Sequence, residues 1–195
     1  DNSFSQIVLR HRTSNQSGAR IVSATSAANT ADLNLIVEDG NTMVKAIQID
    51  PSGEVIMAKQ PAFLARPSSQ QSDIAINNYI TIAFGTEVYD QGGNFASNAF
   101  TAPVTGKYQL NVSLALTDFD SAAAYILLRI DTPNRNYDHI IDQDFGQDGA
   151  YWNFKASVLA DMDASEAVTV ALYQSGGTAQ INVTTDSHFS GFLAC

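Results

Sequence analysis

The sequence predicts an all-β fold, and three observations carry the prediction. From Lys107 to Leu116 the residues alternate without a break, with Tyr108, Leu110, Val112, Leu114 and Leu116 on one side and Lys107, Gln109, Asn111 and Ser113 on the other. A period of two over this length marks a strand with one face on a core. Further β-rich segments follow one another at regular spacing, punctuated by Gly, Pro, Asn and Ser as in a β-sandwich. No long amphipathic helix appears. With 195 residues and 45% hydrophobic content, the chain has room for one domain, or a domain and a smaller module.

Taken in order, residues 1–60 are a run of short strand candidates: Ile7–Leu9, Ala19–Ser23, Leu33–Val37 and Val44–Ile49. Ile47 to Met57 reads as a hairpin closed by Asp50-Pro51-Ser52-Gly53, a turn composition. These strands look too short and polar to bury a core within one chain. The expectation is a β-rich stem or attachment module, intertwined with copies of itself in a trimer. From Pro61 onward Ile80, Ile82 and Phe84 share a face. Phe100 and Ala102 lead into Pro103, which lacks an N–H and suits a strand end. Gly106 is expected to supply a positive φ at the corner before Tyr108. Ala122–Ile130 reads as a strand despite its helix-friendly alanines, and Tyr137–Ile141 as another. Tyr151–Ala160 alternates with Trp152, Phe154, Ala156 and Val158 inward. Val168, Val170 and Leu172 precede a Gly176-Gly177 turn, and Ile181, Val183 and Phe189–Leu193 close the sheet.

The charge is −10 and uneven. Residues 1–60 hold five Lys/Arg and six Asp/Glu, and residues 61–195 hold five and fourteen. Nucleic acid is a poor partner for the acidic part, because phosphate binding runs on Lys and Arg. No run of eighteen apolar residues occurs, so no membrane insertion by a helix is expected. A start at Asp1 without methionine is expected of a processed product or a fragment. The single Cys195 permits no internal disulfide.

Catalytic chemistry finds no foothold: His11, His139 and His188 stand in no nucleophile or zinc-protease spacing. The expectation is a protein that is not an enzyme, with a glycan hydrolase using paired carboxylates as the competing alternative. Those carboxylates lie in Asp138 to Gly149, which contains Asp138, Asp142, Asp144 and Asp148. Clustered oxygens suit a hard cation, so Asp142, Asp144 and Asp148 are candidate calcium ligands, against the alternative of a solvated acidic loop. No other cofactor is expected. Tyr125, Leu127 and Arg129 lie opposite Ile126, Leu128 and Ile130, which makes their strand apolar on both sides. They are candidate residues of a subunit interface.

Phe100-Thr-Ala-Pro103-x-x-Gly106-x-Tyr108 resembles the central signature of the complement C1q head-domain family, relatives of the tumour necrosis factor fold. Pro61–Ala65 resembles its opening strand, and Phe189-Ser-Gly191-Phe192-Leu193 its closing strand. The resemblance covers residues 61–195 and implies a jelly-roll head, assembled as a homotrimer, with its first and last strands as neighbours. It departs near Tyr89-Asp90, where Asp90 to Phe95 replaces the family's usual pattern. Gly18-Ala19-Arg20-Ile21, Leu33-Asn34-Leu35 and Ile49-Asp50 with Gly53-Glu54-Val55 resemble stem segments of tailed-bacteriophage fibres and spikes. That likeness implies a structural virion protein, a trimeric tail fibre or spike. Its stem would meet other virion proteins, and its head a host-surface receptor, protein or glycan. The alternative is a secreted binding module of the same head family.

Overall fold

In a computed structural model of the chain, the structure describes every residue except 1–3, 11–17, 29 and 41, with the backbone alone for Phe4, Arg10 and Ser26. His11 lies outside the described residues. Every regular element among them is a β-strand. The chain divides into two units, Asp1–Gln60 and Pro61–Cys195.

The first unit is a five-stranded antiparallel meander of β1 (Phe4–Arg10), β2 (Gly18–Ala27), β3 (Thr30–Asp39), β4 (Thr42–Ile49) and β5 (Val55–Ile56), paired in sequence order. The β4–β5 hairpin turns at Asp50, whose Oδ1 accepts from the backbone N–H of Ser52, Gly53 and Glu54 at 3.0–3.1 Å. Gly53 sits at φ +98°, open to glycine without strain. Each described strand of this unit pairs with its sequence neighbours within the chain, and β1 and β5 stand at the two ends of that order.

The second unit is built from β6 (Ala62–Arg66), β7 (Ile80–Thr81), β8 (Thr86–Gln91), β9 (Phe95–Ala96), β10 (Ala99–Thr101), β11 (Gly106–Phe119), β12 (Tyr125–Asp131), β13 (Asn136–Ile141), β14 (Gly149–Met162), β15 (Ala167–Ser175), β16 (Asn182–Val183) and β17 (His188–Leu193). One sheet runs β13-β12-β15-β10-β9 with β7 on β15, and the other β14-β11-β17-β6-β8 with β16 on β11. The alternating residues of β11 divide as their pattern requires. Tyr108, Leu110, Val112, Leu114 and Leu116 are buried against Ile126, Leu128, Ile130, Val168, Val170 and Leu172 in one core.

An aromatic knot closes that core. Phe63 stacks on Phe100 at 4.6 Å and Phe95 at 5.1 Å and meets Phe189 edge-on at 4.9 Å, while Phe100 lies 5.5 Å from Tyr108. The Tyr108 hydroxyl donates to the Val104 carbonyl at 2.7 Å, and burial raises its pKa above the ordinary phenol value. Phe100, Tyr108 and Phe189 thus tie the corner before β11 to the closing strand. Phe192, one register away from Gly191, instead points outward.

Two expectations fail for identifiable reasons. Ala122–Ala124 is a turn, and the strand begins at Tyr125. The Asp120 carboxylate accepts from Ala122 N–H at 2.8 Å, a local bond that competes with the ladder. Gly106 does not adopt a positive φ. An ideal Cβ there would lie 2.7 Å from the Cys195 carbonyl oxygen and 2.7 Å from Leu193 Cδ1, so close approach of the C-terminal segment demands the glycine. Gly106→Val is expected to cost about 2 kcal/mol by overpacking, measured by urea unfolding. Deleting Ala194 and Cys195 from that variant should restore part of the loss; no recovery would place the cause elsewhere.

Candidate functional site

The geometry of the head places its contact surfaces. β6 pairs with β17, Phe63 opposite Gly191, and Leu193 N–H donates to the Pro61 carbonyl at 3.1 Å. Both ends of the head therefore lie at one pole, beside Gly106 and Met162. β11 and β14 run from there to Phe119 opposite Gly149, roughly 45 Å away for fourteen extended residues. The 142–148 connection stands at that far pole.

This loop is held by its own chain. Phe145 packs on Trp152 at 5.3 Å, and Trp152 stacks on Phe119 at 5.4 Å. Asp148 accepts from Gln180 Nε2 at 3.0 Å and from Ser121 N–H at 2.9 Å and Oγ at 2.7 Å. The bonds from Gln180 and Ser121 hold its carboxyl below the ordinary range. Among the described residues no group of three His, Cys, Asp or Glu side chains is gathered to hold a metal ion. Of the candidate ligands Asp142, Asp144 and Asp148, the last is turned to Ser121 and Gln180. The side chains that do share a hollow with Asp148, of about 420 Å³, are Asp73, Asp118, Gln180 and Asn182. They come from three stretches far apart in sequence, around 73, 118 and 180–182.

The doubly apolar strand β12 also has an explanation within the chain. Leu127 is only 4% exposed. Tyr173 on β15 stacks against Tyr125 at 5.9 Å and lies 4.9 Å from Tyr79. The Arg129 guanidinium sits 4.0 Å from the Tyr79 ring centroid. It donates to both Asp138 oxygens at 2.7 Å and to Tyr79 Oη at 2.9 Å. Within the chain Tyr125 and Arg129 thus meet Tyr173, Tyr79 and Asp138, while Tyr79 stays 47% exposed. Alternation flagged the strand; Tyr79 and Tyr173 gave no sequence signal, being 94 positions apart.

Hydrogen bonds from Arg129 hold the Asp138 carboxyl below its ordinary value of 3.8. A depressed folded-state pKa contributes stability above the unfolded value and loses it as pH falls through the folded one. Asp138→Asn is expected to lose about 0.5 kcal/mol at pH 7, the scale of a partly exposed pair, and nothing near pH 2. Parallel urea curves at the two pH values check this, and an equal loss at both would rule out the ion pair as the cause.

The outer face of the other sheet is less covered. Phe192, Gln109 and Leu159 form one rung across β17, β11 and β14, with Phe192 47% and Leu159 54% exposed. The next rungs are polar. Gln109 Nε2 donates to Ser157 Oγ at 2.9 Å, and Ser157 Oγ to Asn111 Oδ1 at 2.8 Å. Ser113 lies opposite both Lys155 and His188, beside a hollow of about 510 Å³ that His139 also lines. The face offers an apolar rung and a polar network, the composition of a protein contact.

Two packed antiparallel sheets, with the first and last strands adjacent, define the head as a jelly-roll β-sandwich. The C1q domain matches residues 62–194, and the chain belongs to that family. The head is similar in fold to the globular domain of a zebrafish complement 1qA protein, at 17% identity over 70% of this chain and 98% of that one, with a TM-score of 0.52. Murine APRIL gives 15% identity over 69% and 98%, with a TM-score of 0.48. No curated protein matches the chain.

Proposed function

We propose that this chain is a subunit of a homotrimeric attachment fibre or spike on a bacteriophage virion. In this reading the first unit is the stem, joined to other virion proteins, and the C1q-type head meets a host-surface receptor. The protein acts by binding and is not an enzyme. The observation that supports the reading best is polar separation: the head joins the stem at Pro61, beside its C-terminus, and presents the 119–124 and 142–148 connections at the opposite pole. Function is commonly carried on such loops, held by a rigid scaffold. Residues 1–60 contain no collagen-type repeat, and their described strands β1 to β5 form a β meander.

Subunit contact in the head is assigned to the outer face bearing Leu159 and Phe192, where exposed apolar side chains adjoin. Sedimentation of Leu159→Asp/Phe192→Asp should show the head contact weakened. Tyr125→Ala should leave it intact, and the reverse result would move the interface to β12. Labelling with an antibody against the chain tests the location. Decoration of virions supports the fibre, whereas antigen found only free in the medium would favour a secreted C1q-type binding module.

A further inference from the structure

The first unit pairs its described strands in one open sheet and leaves many of their side chains uncovered. Directly opposed residues in an antiparallel ladder point to the same face. Ile7 opposes Ile21, Ile21 opposes Leu35, Leu33 opposes Ile49, and Ile49 opposes Val55. One face of all five strands is therefore aliphatic, with Leu9, Val37, Val44 and Ile47 completing it and no charge before Asp39 at the β3–β4 hairpin tip. Ile7, Leu9, Ile21, Leu33, Leu35, Val37, Ile49 and Val55 remain 36–62% exposed. The reverse face is mixed: Val8, Val22 and Ile36 stand among polar groups that bond one another, Gln48 Nε2 donating to Asp32 at 2.7 Å, Lys45 Nζ to Gln48 at 3.0 Å and Gly18 N–H to Glu38 at 2.9 Å.

We infer that the occupant of this aliphatic face is the same face of further copies of this chain. The stem is then a second self-association unit whose core exists only between chains. Two properties select a copy over a different partner. The eight exposed side chains amount to roughly 700 Å² of apolar surface, close to one partner's share of a standard specific interface. Among the described residues the face carries one charge, Asp39 at the end of β3. The rest of it lets identical copies meet without repulsion and offers no charged anchor by which a different partner would be selected. The number of copies rests on the homotrimer proposed above; the face-to-face contact does not.

The test uses the full chain carrying Cys195→Ser, so that one introduced thiol reports alone. Leu35→Cys places it on the middle strand of the aliphatic face, and Gln6→Cys on the reverse face. Under mild oxidation at micromolar concentration, Leu35→Cys is expected to give disulfide-linked pairs at least tenfold faster than Gln6→Cys. Leu33→Glu/Leu35→Glu should raise tryptic cleavage at Arg20 and Lys45 at least tenfold. Equal cross-linking from the two faces, or none at Leu35, overturns the inference. A monomeric parent chain in which the Leu35→Cys thiol resists alkylation also overturns it, since the chain's own residues then cover the face. Sedimentation separates this inference from the head reading. A trimer lacking the Leu35 cross-link removes the stem contact alone. Cross-linking at Leu35 together with a monomeric Leu33→Glu/Leu35→Glu variant supports the stem contact and removes association through the head.

Discussion

Gly191→Val is expected to unfold the head under conditions where the parent chain is stable. Gly191 lies on β17 between β11 and β6, opposite Leu110 and Phe63. An ideal Cβ would sit 2.8 Å from Leu110 Cδ2, 2.8 Å from Phe63 Cε1 and 2.9 Å from the Gln109 carbonyl oxygen. Leu110 and Phe63 are themselves fully buried, Phe63 by three stacked or edge-on rings. The carbonyl is part of the neighbouring strand and moves only if the ladder opens. A β-branched side chain therefore needs space on three sides where interiors have none to give, and the expected cost is about 4 kcal/mol. Phe192→Val, one residue on and facing outward, is expected to stay within about 1 kcal/mol of the parent. Thermal melting followed by circular dichroism compares the two. A Gly191→Val chain melting within about 5 °C of the parent would mean a loss near 1 kcal/mol, and that β17 can shift off β11 at little cost.

What could be read from the sequence depended on how local its cause was. The inward and outward residues of β11 and β14 were legible because each strand has one face on the core, which writes itself as a period of two. The jelly roll followed from motifs whose residues meet in the folded head: Phe100, Tyr108 and Phe189 belong to one aromatic knot around Phe63. Gly106 was assigned a left-handed turn because local turn chemistry is the only context a sequence offers, whereas its real constraint is Cys195, 89 residues away. The neighbours that β12 finds within the chain, Tyr79 and Tyr173, come from distant segments and leave no mark in its own alternation. Strand positions in the stem were legible from composition. That the ladder closes within the chain while the aliphatic layer stays open could be seen only with the register in hand.

Asp120→Ala is expected to be the most damaging single change at the far pole of the head. Asp120 is 2% exposed, and its carboxylate carries three donors. Oδ1 accepts from Ala122 N–H at 2.8 Å, and Oδ2 from Gln174 Nε2 at 2.8 Å and Thr178 N–H at 2.5 Å. Gln174 is wholly buried and also donates to the Gly176 and Thr178 carbonyls. Gln143, buried in the acidic loop, donates to the Asp120 carbonyl at 2.6 Å. One aspartate thus joins the 120–124 turn, the β15 end and the 142–148 loop. Its removal takes the side-chain acceptor from the Ala122 and Thr178 amides and one of three acceptors from Gln174, and hydrogen bonds to a charged acceptor are the strong kind. A loss of about 3 kcal/mol is expected, and a smaller one for Asp148→Ala, whose carboxylate is exposed. Urea unfolding gives the two costs, and hydrogen exchange at the Ala122 and Thr178 amides shows where the structure loosens. A small loss with both amides still protected would mean that water replaces the carboxylate, and that the loops of this pole are held in place by Phe145 on Trp152 instead.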